Sequence, residues 1–208
     1  MALVQASLKS DIEAAYNNAF AKSSTFDETN AAQQALAQEL STAVHSYVSA
    51  GIVQTTDTCT APPGTGVGVG AIVCQQPQLQ ADILSTLLQC YANQQGDGFD
   101  TFAKLLAVAI HSYVSAGIVQ TTDTCTVLMG TAMTTVVASG QGSILCQLPP
   151  MQSAFISAFS SCYQTEQGNP LSNLAQQLST AIHSYMTSGV VNTTLVGAVT
   201  GIGVGAIS

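Results

Sequence analysis

Histidine occurs three times in this 208-residue chain, as His45, His111 and His183, each time inside the tripeptide His-Ser-Tyr. Three equivalent imidazoles gathered about an axis could bind one metal ion through neutral ring nitrogens. The structural alternative is stronger. Each histidine falls beside an apolar stripe, in the last two turns of a helix, where a partly positive side chain interacts well with the helix dipole. The trio is therefore a candidate pseudo-symmetric cluster, and no metal, cofactor or catalytic residue is assigned. Tyr47, Tyr113 and Tyr185 fall on the stripe itself and read as core or interface residues.

Cysteines are the second reactive group. Cys59 and Cys74 flank one expected β-hairpin, and Cys125 and Cys146 flank another. In the corresponding third segment Gly197 replaces Cys59, and the sequence ends at Ser208, one residue before the place of Cys74. Both partners vanish together, so a disulfide within each hairpin is expected, each contributing on the order of 3 kcal/mol in the chain-entropy model. Buried free thiols are the alternative. Cys90 and Cys162 share one place on a helix, aligned with Ala19, and read as small buried hydrophobes. All these spacings are too long and irregular for thiolate zinc.

Asp57 and Asp123 recur in the segment TTDTC, where the third copy has Leu195. A catalytic carboxylate pair is conceivable, but solvated strand carboxylates are the ordinary expectation. The glycine runs Gly66 to Gly70 and Gly201 to Gly205 do not read as nucleotide loops, which need glycines between a strand and the start of a helix. No spacing suggests a Ser-His-Asp or Cys-His arrangement.

The elements that position these residues repeat three times. The segments AVHSYVSAGIVQTTDTCT from Ala43, AIHSYVSAGIVQTTDTCT from Ala109 and AIHSYMTSGVVNTT from Ala181 align, and GVGVGAI from Gly66 returns as GIGVGAI from Gly201. Self-similarity on this scale means a copied supersecondary unit. Units 1–76, 77–148 and 149–208 follow, with Pro77, Pro149 and Pro150 marking each restart. In each, a first short helix gathers Ile12, Tyr16, Ala19 and Phe20, or Ile83, Leu87, Cys90 and Tyr91, on one face. Turns are expected at STFDETN from Ser24, at Gly96 to Gly98 and at Gly168 to Pro170. A second helix follows, carrying Phe102, Leu105, Leu106, Ala109, Ile110, Tyr113 and Val114, or Leu171, Leu174, Leu178, Ala181, Ile182, Tyr185 and Met186, as a stripe against a core. Gly51, Gly117 and Gly189 are expected to end these helices as left-handed caps. β-Branched residues then predict a strand, and the Gly-Val alternation a returning strand with glycines on one face. The fold class is α+β, with three tandem helix-helix-β-hairpin repeats in a pseudo-threefold or stacked arrangement. A lone hairpin of this composition is marginal in water. The three must join in one sheet or ring, or pair with other subunits.

Composition narrows the partners. Three basic residues (Lys9, Lys22, Lys104) against eleven acidic ones leave a net charge of −8, with no arginine. Such a chain has no patch to hold nucleic acid or an anionic membrane surface. Only 7% of residues are charged while 47% are hydrophobic, a neutral, sticky surface suited to permanent assembly. The first residues lack a Sec-type signal and no window is apolar enough to span a bilayer, so synthesis is expected in the cytoplasm.

A short helical region, a strand of the form TTDTC after a helix-ending glycine, and a closing GxGxGxI together resemble small virion proteins encoded in the structural gene clusters of tailed bacteriophages. In that family such a unit occurs once per chain, sometimes ending at the equivalent of Ile207-Ser208, and the resemblance covers each repeat here. It implies a non-enzymatic structural component of the virion, synthesised in the host cytoplasm. The roles implied are capsid decoration, or a head-tail or tail accessory position, docked on other virion proteins in multiple copies. Triplication departs from the single-unit form and leaves the position in the virion open. Two other readings are an extracellular or cell-surface binding repeat protein exported without a Sec signal and, last, a metal-dependent enzyme using the three histidines.

Overall fold

The computed structural model describes residues 3–22, 29–92, 98–164 and 169–208. Helices and strands alternate in pairs: α1 (Gln5–Lys22), α2 (Thr29–Ser49), β1 (Ile52–Ala61), β2 (Pro63–Val73), α3 (Gln76–Ala92), α4 (Gly98–Ser115), β3 (Ile118–Met129), β4 (Ala132–Leu145), α5 (Leu148–Gln164), α6 (Pro170–Thr187), β5 (Val190–Gly197) and β6 (Thr200–Ile207). The protein is α+β. Each expected turn between paired helices lies partly outside the described residues.

All six strands form one closed barrel, each antiparallel to its neighbours in chain order, with β6 returning to β1. Mutual backbone bonds between Ile52 and Ser208, 3.0 Å each way, extend that last seam. The ring therefore closes within one chain, and the edge left over is the part of β4 that outreaches the third hairpin, residues 132–137, which pair with β3 and not with β5. The helices form a second ring, in which each contacts the next and α1 contacts α6. Gln5 Nε2 donates to Thr180 Oγ1 at 2.8 Å and Ser172 Oγ to Glu13 Oε2 at 3.0 Å across that closing contact.

A six-stranded barrel has a very narrow interior, because barrel diameter grows with strand number. Glycine solves the crowding. On β1, β3 and β5 the inward positions are Val53, Thr55, Asp57 and Cys59; Val119, Thr121, Asp123 and Cys125; and Val191, Thr193 and Leu195, all buried. Facing them, β2, β4 and β6 turn mostly glycines inward, such as Gly66, Gly68 and Gly70 beside Cys125, Asp123 and Thr121. The branched residues that alternate with those glycines point out, with Val67, Val69, Ile202 and Val204 exposed. The expected glycine face thus exists, and it looks inward.

The apolar stripes of α4 and α6 are buried as expected, except that Leu105 and Leu171 are half-buried. Together with α2 they cover the near mouth of the barrel, where Val53, Ile72, Val119, Ile144, Val191 and Ile207 join the helical core. Phe102 packs edge-on against Phe159, ring centroids 5.2 Å apart. The first-helix stripes are narrower than expected, since Phe20 and Tyr91 are exposed. α6 begins with Asn169 as its cap, Oδ1 accepting from Ser172 N at 3.1 Å, and Pro170 in the first turn.

Gly51, Gly117 and Gly189 do not act as left-handed caps. The described glycines with positive φ are Gly130 and Gly197. Space, rather than φ, is what glycine supplies after each second helix. A Cβ on Gly117 would collide with Cys74 Sγ, one on Gly189 would meet Cys146 Sγ at 2.6 Å, and one on Gly51 would meet Ile207 Cγ2 at 3.0 Å.

Candidate functional site

Two constellations combine polar chemistry with burial. The first is a belt where helices meet barrel. His45 Nδ1 of α2 lies 2.6 Å from the Tyr113 hydroxyl of α4, His111 Nδ1 of α4 lies 2.7 Å from Tyr185 of α6, and His183 Nδ1 of α6 lies 2.5 Å from Tyr47 of α2. Each ring pair is edge-on, with centroids about 6 Å apart (6.1, 5.9 and 6.3 Å). The contacts run one way around the bundle. Burial pushes all three tyrosine hydroxyls far up, helped at Tyr113 by Cys74 and at Tyr185 by Cys146. Each hydroxyl therefore keeps its proton at neutral pH and is able to donate to its imidazole. Ser49 and Ser115 hydroxyls lie 3.5 Å from Nε2 of His45 and His111.

His45, His111 and His183 are thus paired with tyrosines of alternate helices of the ring, α4, α6 and α2, rather than with one another. Among the described residues no group of three or more His, Cys, Asp or Glu side chains is placed to hold a metal ion. Each contact ties two of the helices α2, α4 and α6 together.

The second constellation lies inside the barrel. Thr55, Thr121 and Thr193 line it with Asp57, Asp123 and Leu195, all no more than 6% exposed. This polar section is enclosed on one side by the valine and isoleucine plug of the helical core and on the other by Cys59, Cys125, Val127, Ala138, Leu195 and Val199. Asp57 and Asp123 are 1% and 0% exposed, so the expectation of solvated carboxylates is corrected. The Thr121 hydroxyl donates to both oxygens of Asp123, at 2.9 and 3.0 Å, and Thr55 reaches Oδ1 at 3.5 Å. Burial raises the Asp123 pKa, and the neighbouring Asp57 adds to the rise, against the threonine hydrogen bonds that lower it. Neither oxygen of Asp57 has a hydrogen-bond partner, and nor does Thr193 Oγ1. The signal for burial was in the sequence: Asp57 shares its strand face with Val53 and Cys59, while Gln54, Thr56 and Thr58 face the other way.

The cysteines are placed differently from expectation. Cys59 pairs in register with Gly64, and Cys74 lies ten positions further along that hairpin arm; at ~3.3 Å per residue this is on the order of 30 Å away. Disulfides need Cα atoms within about 7 Å. Cys125, opposite Val136, is separated from Cys146 in the same way. All six thiols are free, and Cys59 Sγ lies 2.8 Å from Cys125 Sγ across the barrel. Cys74 and Cys146 instead lie at the near mouth, against Gly117 and Gly189. Cys90 and Cys162 are half-buried beside the helical core.

An apolar recess of about 520 Å³, with Tyr16, Leu87, Tyr91, Phe99 and Phe102 in its wall, opens at the end of the helices away from the barrel. It gathers no acid, base or nucleophile pair. No protein-family model matches this chain, and neither does any curated protein or solved structure.

Proposed function

We propose that the chain is a covalent pseudo-trimer: three helix-helix-hairpin units, 1–76, 77–148 and 149–208, set around a pseudo-threefold axis. In this reading it serves as a non-enzymatic structural component of a tailed-phage virion, as capsid decoration or as a head-tail or tail accessory protein. The observation that carries it is the histidine-tyrosine belt. One contact between the same two residues of one motif, made three times in one direction around a ring, is what three equivalent units produce when they close on themselves.

Surface chemistry supports docking rather than catalysis. Aliphatic side chains dot the outside of the barrel, including Val67, Val69, Val137, Val196, Ile202 and Val204. The second hairpin, with strands of 12 and 14 residues against 8 and 8 in the third, carries exposed Leu128, Met129 and Met133 towards its tip. Exposed apolar area of this kind suits contact with other proteins. Its partners in this reading are other virion proteins, met in several copies of a symmetric assembly, and neither nucleic acid nor membrane. No described helix is long and apolar enough to cross a bilayer.

Quantitative mass spectrometry of gradient-purified particles from the phage encoding the chain tests the reading. The chain should copurify at a fixed, small ratio to the major capsid protein. Its absence from particles, with recovery only from the lysate or medium, would refute the virion assignment.

A further inference from the structure

We propose that the polar section of the barrel is a binding site for one hard divalent cation, calcium, held by the carboxylates of Asp57 and Asp123 and the hydroxyls of Thr55, Thr121 and Thr193. The reasoning starts from what is left unpaired. Two carboxylates share a chamber closed at both ends by apolar side chains. Taking charge out of water is costly unless it is neutralised in place. Yet the cationic residues of the chain, Lys9, Lys22 and Lys104, all lie on helices, outside the barrel. Asp57 offers two oxygens with no donor, and Thr193, 4% exposed and on a third strand, offers another.

These oxygens converge. A Cβ placed on Gly203 would collide with both Asp57 Oδ1 and Thr193 Oγ1; one on Gly68 would collide with Asp123 Oδ1 and Thr55 Oγ1; and one on Gly140 would meet Thr121 Oγ1 and both Asp123 oxygens. Five side chains from three strands thus turn their oxygens into one chamber whose glycine walls add no bulk. The set is all oxygen, two anionic groups and three neutral ones, which is the donor chemistry of hard cations. Two carboxylates balance a divalent charge. Calcium accepts six to eight oxygens in irregular geometry, whereas magnesium dehydrates reluctantly and keeps waters. A closed barrel core favours calcium. The site differs from the three-histidine centre considered from the sequence, and it does not depend on the virion reading.

Because the chamber is closed, the ion must enter as the barrel forms. The test therefore unfolds the chain in guanidinium with EGTA and refolds it in chelator-treated buffer, alone or with calcium or magnesium chloride. After gel filtration, bound metal is counted by elemental mass spectrometry and Tm is measured. Expected is one calcium per chain and, at a hundredfold excess over Kd, a Tm roughly 5–10 °C higher than the metal-free form. Asp57→Asn and Asp123→Asn should each lose the retained calcium and the Tm response, while Asp11→Asn, on the exposed face of α1, should keep both. A wild-type chain that refolds without calcium and with an unchanged Tm overturns the proposal. Retention of magnesium in place of calcium overturns the choice of ion, and an unaltered calcium response in both Asn variants overturns the choice of residues.

Discussion

Gly70, Gly142 and Gly205 occupy the inner face of β2, β4 and β6, and alanine at any of them should be costly for one shared reason. A Cβ on Gly70 would collide with the Gln120 carbonyl oxygen and sit 2.7 Å from Thr121 Cα. On Gly142 it would collide with the Asn192 oxygen and sit 2.7 Å from Thr193 Cα, and on Gly205 with the Gln54 oxygen, 2.8 Å from Thr55 Cα. The obstacle is neighbouring-strand backbone, which cannot rotate away as a side chain can. Overpacking of an adaptable core costs ~1–3 kcal/mol. Separating the strands also weakens one or two ladder hydrogen bonds at about 1 kcal/mol each, while the stiffer unfolded chain returns ~0.4–1 kcal/mol. The net loss is about 3 kcal/mol, or a Tm lower by roughly 6–12 °C in a chain of this size. Guanidinium unfolding followed by circular dichroism would measure it, with Gly98→Ala as control, since a Cβ there meets nothing within 4 Å. Any of the three variants within ~1 kcal/mol of wild type would refute the account of the barrel interior. A spread among them above about 1 kcal/mol would instead refute the proposed equivalence of three units.

Replacing Tyr47, Tyr113 or Tyr185 by phenylalanine keeps the ring packing and removes the partner of one imidazole Nδ1, so each variant should lose about 1–2 kcal/mol in thermal or chemical unfolding; unchanged stability in all three would show the belt to be energetically idle. Refolding with oxidised glutathione should yield a Cys59–Cys125 disulfide, identified by peptide mapping, and a stability gain of roughly 4 kcal/mol for its 66-residue separation; recovery of Cys59–Cys74 peptides would contradict the barrel. Folded protein should oxidise slowly, because burial first, then the adjacent Cys59 and the carboxylates, pushes the Cys125 thiol up to about 12 and leaves little thiolate. In calcium-free buffer the raised pKa of Asp123, which faces Asp57, Thr55 and Thr121, makes the native state hold its proton more tightly than the unfolded chain does. That contribution is fully present below the ordinary value of 3.8 and is lost as pH rises through the folded value. The stability of Asp123→Asn relative to wild type should therefore increase with pH above about 4, as urea titrations at several pH values would show; a pH-independent difference would contradict it.

The helices and the two-residue alternation of the strands were readable because both periods are local. Phe102 to Val114 and Leu174 to Met186 name their buried face through spacing alone, and Val67 and Val69 are told from Gly66 and Gly68 in the same way. What escaped reading depends on partners far away in the chain. The pairing of β1 with β6 joins residue 52 to residue 208, a partner no local pattern names. The burial of Asp57 follows from that closure, and polarity argued against it even while Val53 and Cys59 on its own face argued for it. The cysteine expectation failed for a related reason. Joint loss of Cys59 and Cys74 positions in the third segment suggested one bond, but Cys59 pairs across to Cys125, and Cys74 sits at the other mouth beside Gly117. Gly51, Gly117 and Gly189 were correctly expected at helix ends and wrongly explained, since crowding by Ile207, Cys74 and Cys146 selects glycine as firmly as a left-handed φ would.

On the proposed triplicate reading, covalent fusion has a chemical consequence that a trimer of identical chains lacks. Identical subunits would have to place three carboxylates, or three thiols, around the axis at each level. Three buried carboxylates exceed what one divalent ion neutralises, and three thiols leave one unpaired after any disulfide. In a single chain the third position is free to differ, and it does: Leu195 follows Asp57 and Asp123, and Gly197 follows Cys59 and Cys125. Leu195 is 1% exposed and packs with Cys59, Cys125 and Val127, filling apolar space where a third carboxylate would stand. Asp57, Asp123 and the two thiols therefore occur as pairs inside a threefold scaffold. Leu195→Asp would restore the symmetric interior, and it should destabilise the chain by removing a buried leucine, at roughly 2–5 kcal/mol for the cavity alone, and by adding an unpaired charge. Calcium should recover little of that loss, because one ion cannot balance three carboxylates; a Leu195→Asp variant as stable as wild type would show that the barrel tolerates the symmetric arrangement and that the difference in the third unit carries no energetic weight.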